Sequence, residues 1–205
     1  AHRMIEEFML AANTCAADFL ERNRLPTLFR IHESPRKEKL DDLRTVLAER
    51  GLKLEGGDKP EAHHVSRLMS QAAGRDDFHL IQTLVLRSMN QAVYSPDNQG
   101  HFGLGFDAYT HFTSPIRRYP DLVVHRGIRN LLWRQRKPVR DALGKLLKRG
   151  VGGDYPYARA EMERIGQHSS MTERRADEAT RDAEDALKCE YIQDKVGESY
   201  EGLVT

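Results

Sequence analysis

A chain of 205 residues, 39% hydrophobic and 31% charged, can bury a core of domain size, and this ordinary composition excludes a fibrous or wholly disordered protein. Lys and Arg number 32 against 31 Asp and Glu, so the net charge selects no partner, yet the distribution is uneven: from Ser114 to Gly150 eleven basic residues meet only Asp121 and Asp141, a footprint suited to a polyanion. No apolar run nears the roughly 18 residues of a membrane span, and Cys15 and Cys189, far apart and without a CxxC partner, fit reduced thiols in a cytoplasm better than a disulfide scaffold.

The predicted elements begin with a long core-facing helix over 2–24, whose stripe is Ile5, Phe8, Met9, Ala12, Cys15, Ala16, Phe19 and Leu20, with Glu6, Asn13 and Asp18 off it. Leu28 to His32 reads as a short strand. Ser34 and Pro35 then supply an N-cap and first-turn proline for a helix to about 50, ended by Gly51. Two more helices are expected over 60–73 and 78–91, the second carrying Leu80, Ile81, Leu84, Val85 and Met89. Ala92–Tyr94 and His101–Leu104 read as extended pieces around the turn-rich loop Ser95–Gly100.

The string His111-Phe112-Thr113-Ser114-Pro115-Ile116-Arg117-Arg118-Tyr119-Pro120-Asp121 follows, and it carries the chemistry. Arginine offers a planar fork of donors that matches phosphate oxygens in pairs, while the prolines and a Ser at a helix N-cap position stiffen the backbone and leave N–H groups free. A helix from Pro120 to about 136 comes next, with Val124, Ile128, Leu131 and Leu132 inward and arginines, Arg126 among them, outward. A short helix from Pro138 to about Arg149 and a long one from about Tyr157 to Gln193 complete the set, the latter carrying the i,i+4 pairs Arg174 with Glu178, Asp177 with Arg181, and Arg181 with Asp185. Residues 199–205 alternate like a strand. The chain opens without an initiator Met and both ends read as cut, so a piece of a longer protein is expected, mainly α with a few short strands.

Several competing patterns are weak. Ser114, Asp121 and His125 lie too close in one turn and helix to align as a nucleophilic triad. His63-His64 has no third ligand at metal-site spacing, and Gly103-Leu104-Gly105 lacks the third glycine of a dinucleotide loop.

Five segments in order resemble the RNB family of ribonucleases: residues His2 to Asn13, Gln91 to Pro96, His101 to Leu104, Thr113 to Asp121 and Ser170 to Ala176. The resemblance implies that residues 1–195 are the C-terminal part of an α+β RNB catalytic domain, and 196–205 the start of an oligonucleotide-binding barrel of the S1 type. It implies part of an exoribonuclease that degrades single-stranded RNA from its 3′ end to nucleoside 5′-monophosphates, using Mg2+ held by an aspartate cluster that this chain does not carry.

Residue by residue, the resemblance makes Arg117 the group that stabilises charge on the cleaved phosphate, and Glu173 a positioning carboxylate that orients Arg117 or a water. Glu6 would hold the terminal ribose. Ser114, Arg118, Tyr119 and Arg126 complete the expected RNA contacts, although Ser114, Arg118 and Tyr119 serve equally well to cap and pack the turn. Without metal ligands the chain is expected to be inactive alone. The alternative is an RNA-binding or protein-interaction module without catalysis, and apolar surface left open would favour self-association or a covering partner.

Overall fold

The computed structural model describes residues 2–135 and 155–201, which form six α-helices and one two-stranded sheet, a mainly α architecture as expected. The predicted helix after Pro138 and residues 202–205 of the predicted strand lie outside the described residues. Among 198–201 no strand forms.

Helix α1 (His2–Arg22) has the expected period but not the expected buried face. Asn13, Ala16, Ala17 and Leu20 are buried, whereas Met4, Ile5, Phe8 and Met9 are 40–66% exposed and Cys15 is exposed too. The correction has a plain cause: the last turns of α1 pack on α5 and on the sheet, and nothing among the described residues covers the first two. Asn13, placed off the stripe by sequence, is buried because both ends of its amide are bonded. Its Nδ2 donates to the Tyr109 hydroxyl at 2.9 Å and its Oδ1 accepts the Phe112 N–H at 3.0 Å.

Helices α2 (Lys37–Glu49), α3 (Ala62–Ala72) and α4 (Phe78–Ser88) bury Leu40, Leu43, Leu47, Leu68, Ile81 and Val85 as one cluster. Helix α2 ends as its glycine predicts: Gly51, at φ +69°, donates to Ala48 O while Leu52 N–H reaches back to Leu47 O, the paired bonds of a left-handed helix stop. Its start differs. Arg36 is the N-cap, without a side-chain bond, and Ser34 instead offers its carbonyl to Asn90 Nδ2 at 2.7 Å, so the Ser-Pro pair docks the entry strand and caps nothing.

Strands β1 (Phe29–Ile31) and β2 (Val93–Ser95) pair antiparallel, with Arg30 opposite Tyr94. The outer edge of β1 is met by the incoming chain, Arg30 N–H donating to Tyr109 O at 2.8 Å. His101–Leu104, expected to be extended, instead forms a 3-10 turn over Phe102–Leu104, since His101 Nδ1 accepts the Leu104 N–H. Gly103 permits it. A Cβ there would stand 2.7 Å from His32 Nδ1, the atom that accepts the Gly103 N–H at 2.9 Å.

Helix α5 (Tyr119–Gln135) buries Val123, Val124 and Leu131, while Leu132, expected inward, is exposed. Helix α6 (Arg159–Ile192) crosses β2 at Gly166 and Ser170, packs Met162 and Ile165 with Leu28 and Val123, and is exposed from Arg174 onward. Its three predicted i,i+4 pairs do not close to ion-pair distance; Arg159 with Glu163, Arg164 with Glu161, and Lys188 with Asp185 do. Exposed long side chains gain too little from pairing to be held in one geometry.

Candidate functional site

The turn at 113–118 is held from behind. Asp121, fully buried on the first turn of α5, accepts Arg118 Nε and Nη2 at 2.8 Å each and the Ser114 N–H at 2.7 Å. Arg118, its side chain 18% exposed, is thus spent on the fold. Losing one partner of such a pair strands a buried charge, at a cost of about 3–5 kcal/mol. Ser114 does not cap α5 with its hydroxyl, contrary to expectation. Its carbonyl takes the Arg117 and Arg118 N–H groups, and the cap runs the other way, from the Asp121 carboxylate back to Ser114 N–H.

Pinned so, the turn projects Ile116, 100% exposed, and Arg117, whose guanidinium meets no hydrogen-bond or ionic partner among the described residues. An arginine with a firm base and free donors is ready for an external anion. The Thr113 hydroxyl beside it is buried and without a partner.

Glu173 lies on α6, where its Oε2 accepts Arg30 Nη1 at 2.6 Å. The pair is partly sheltered, with side chains 14% and 34% exposed for Arg30 and Glu173. Its partner is therefore Arg30 rather than Arg117. Arg30 also lies over the Tyr94 ring at 4.6 Å, and the Tyr94 hydroxyl meets His111 Nδ1 at 2.8 Å. Burial pushes Tyr94 up to about 12 and His111 down to about 3, the arginines Arg118 and Arg30 adding to the latter, so both are neutral near pH 7. This chain of contacts joins β1, β2, α6 and the first residue of the motif.

Tyr119 and Arg126, two turns apart on α5, come together with Tyr157, whose hydroxyl accepts from Arg126 Nη1 and stands 3.4 Å from that of Tyr119. Glu6 stands on the exposed half of α1 with no bond to any of these groups. Asp121 and His125 form no relay with Ser114, since His125 Nε2 bonds Phe112 O at 2.9 Å and its ring stacks on Phe112 at 4.2 Å. His63 and His64 start α3, where His64 Nδ1 accepts the Glu61 N–H at 2.9 Å.

Among the described residues no three His, Cys, Asp or Glu side chains come together to hold a metal ion, so the Mg2+ implied by the resemblance finds no ligand set there. An open groove of about 780 Å³, bordered by His32, Lys59, Glu61, His63, His101 and Asp107, is lined by neither Arg117 nor Glu173. No helix among the described residues is long and apolar enough to cross a membrane.

Sequence reasoning missed Arg30, Tyr94 and Tyr157. Arg30 had one readable signal, a charge inside the apolar run Leu28-Phe29-Arg30-Ile31. Tyr157 had none, because its partners are 38 and 31 residues away.

The chain is 49% identical to ribonuclease R of Escherichia coli (strain K12) over 205 residues, which are 100% of this chain and 24% of that protein. It is 40% identical over 205 residues to ribonuclease R of Aquifex aeolicus, covering all of this chain and 27% of that one. The chain thus spans about a quarter of the length of these curated relatives. Among solved structures, Mycoplasma genitalium RNase R in complex with ribose-methylated single-stranded RNA superposes with a TM-score of 0.79 at 29% identity, over 95% of this chain and 29% of that one. Yeast Ssd1, described as a pseudonuclease, superposes with a TM-score of 0.54 at 27% identity, over 60% of this chain and 16% of that one. Residues 1–134 match the family described as RNB domain, and with ribonuclease R relatives along the whole length, the chain belongs to the RNB domain family.

Proposed function

We propose that this chain forms the C-terminal part of the catalytic domain of a 3′-to-5′ exoribonuclease, one that hydrolyses single-stranded RNA to nucleoside 5′-monophosphates in the cytoplasm. The observation that carries this reading is Arg117: an exposed guanidinium without a partner among the described residues, on a turn locked by Asp121, within a family whose relatives here are ribonuclease R. A guanidinium fixed in advance stabilises the charge that grows on a phosphate as its ester bond breaks. Glu173, tied to Arg30, sets the wall on which α6 meets the motif, and Glu6 is assigned to the terminal ribose. The Mg2+ that such hydrolysis uses is taken to be held outside the described residues. Residues 196–205 are assigned to the start of a following S1-type barrel.

A second reading, RNA binding without catalysis, is favoured for the isolated chain by the likeness of 60% of it to yeast Ssd1, a pseudonuclease, at a TM-score of 0.54. One experiment tests both. The isolated chain with Mg2+ and uniformly labelled oligo(A) is expected to release no mononucleotide. Grafted in place of the matching quarter of the Escherichia coli relative, it is expected to support release, and Arg117→Ala in the graft to lower kcat by about 100- to 1,000-fold. An Arg117→Ala graft as active as its parent would sink the assignment.

A further inference from the structure

We propose that Tyr119, Arg126 and Tyr157 form a platform for single-stranded RNA alongside the Arg117 turn, on which a base stacks against Tyr119 while Arg126 takes the adjoining phosphate. This deepens the preceding reading and rests on it.

Three observations carry the assignment. The first is charge. Arg30, Arg75, Arg118, Arg159 and Arg164 each meet a carboxylate. Arg126 is held instead by two phenols, Tyr157 and Tyr119, the latter at 3.5 Å, and no carboxylate among the described residues approaches it. Its orientation is fixed while its charge stays uncompensated. Arg129, one turn on, is exposed and likewise without a carboxylate among the described residues, so the face is complementary to a polyanion.

The second is the ring. Tyr119 is 47% exposed and carries the Arg126 guanidinium over its ring at 5.8 Å, an exposed aromatic beside a cation, as single-stranded nucleic acid uses. Tyr94 and Tyr109, by contrast, are each 6% exposed.

The third is rigidity. Tyr155 anchors the segment by donating its hydroxyl to Pro26 O at 2.9 Å, and its ring meets that of Tyr157 edge-on at 5.1 Å. Tyr157 is thereby fixed as the positioning residue for Arg126. Tyr119 and Arg126, seven residues apart, share one face of α5, and that face starts two residues after Arg117.

The test uses the 205-residue chain, fluorescent oligo(A) and oligo(U), and anisotropy at several salt concentrations, with melting temperature as the folding control. Tyr119→Leu is expected to lose about ten-fold in affinity for oligo(A) while Tyr119→Phe loses far less, because stacking needs the ring and only the 3.5 Å contact of the hydroxyl with Arg126 is given up. Arg126→Gln is expected to reduce the slope of log affinity against log salt by about 0.7, one phosphate contact on a single strand. Tyr157→Phe is expected to cost about five-fold with the slope intact, since it frees the guanidinium without removing its charge. Equal binding by wild type and Tyr119→Leu, or equal competition by base-free polyphosphate, would overturn the platform and leave the exoribonuclease reading standing. Failure of the wild-type chain to bind either oligonucleotide at low salt would overturn the RNA reading itself.

Discussion

His111 opens the motif, and burial dictates its chemistry. With its pKa held down to about 3, and that of His101 to about 4 by burial beside His32, both imidazoles stay neutral in the folded chain far below the ordinary value of about 6.5. Between those values the unfolded chain binds protons that the native chain does not. Stability is therefore fully present above about pH 6.5 and is lost as pH falls towards 4. Denaturant titrations at pH 7 and pH 4.5 are expected to show a lower midpoint at the acid pH, and His111→Gln, which keeps an acceptor for Tyr94 but cannot titrate, to narrow the gap. An unchanged gap would remove His111 from the account. The sequence marked the motif and Arg117 because residue type and local spacing carry that information. It could not reveal that Arg118 is consumed by Asp121 or that Glu173 belongs to Arg30, since the first depends on burial and the second on a contact 143 residues apart.

At the scale of elements, periodicity located the helices, and what packs on them decided which face is inside. The α6–β2 crossing is the sharpest case. Gly166 brings the helix so near the sheet that a Cβ would stand 2.7 Å from Tyr94 O, and Ser170 Oγ accepts the Tyr94 N–H at 2.9 Å while donating to Gly166 O at 2.8 Å. A glycine inside a helix weakens it in isolation, so a close approach of this kind is the physical reason to keep one. Gly166→Ala is expected to destabilise the chain by at least 1–3 kcal/mol, the ordinary cost of overpacking against an obstacle that cannot rotate away. It should also loosen the Arg30–Glu173 pair, which the same crossing aligns. Chemical denaturation reads the first effect. A variant as stable as wild type would mean that α6 shifts on the sheet without loss.

Over the whole molecule, apolar surface is distributed unevenly, and α1 shows it best. Met4, Ile5, Phe8 and Met9 keep helical spacing and 40–66% exposure, so they present one apolar stripe to solvent, while about two turns further on the same helix is sealed by α5 and the sheet. A contiguous apolar patch of this kind marks an interface. For the isolated chain in solution the available cover is a second copy, and a twofold pairing of two such stripes is self-complementary. Sedimentation velocity across rising concentration is expected to show association, and Phe8→Asp with Ile5→Asp to return the chain to monomer with an unchanged melting temperature. Substitution on the exposed face costs the fold little, because these side chains make few contacts within it. A wild-type chain that stays monomeric at about 100 times the concentration typical of micromolar association would show that the stripe is tolerated bare.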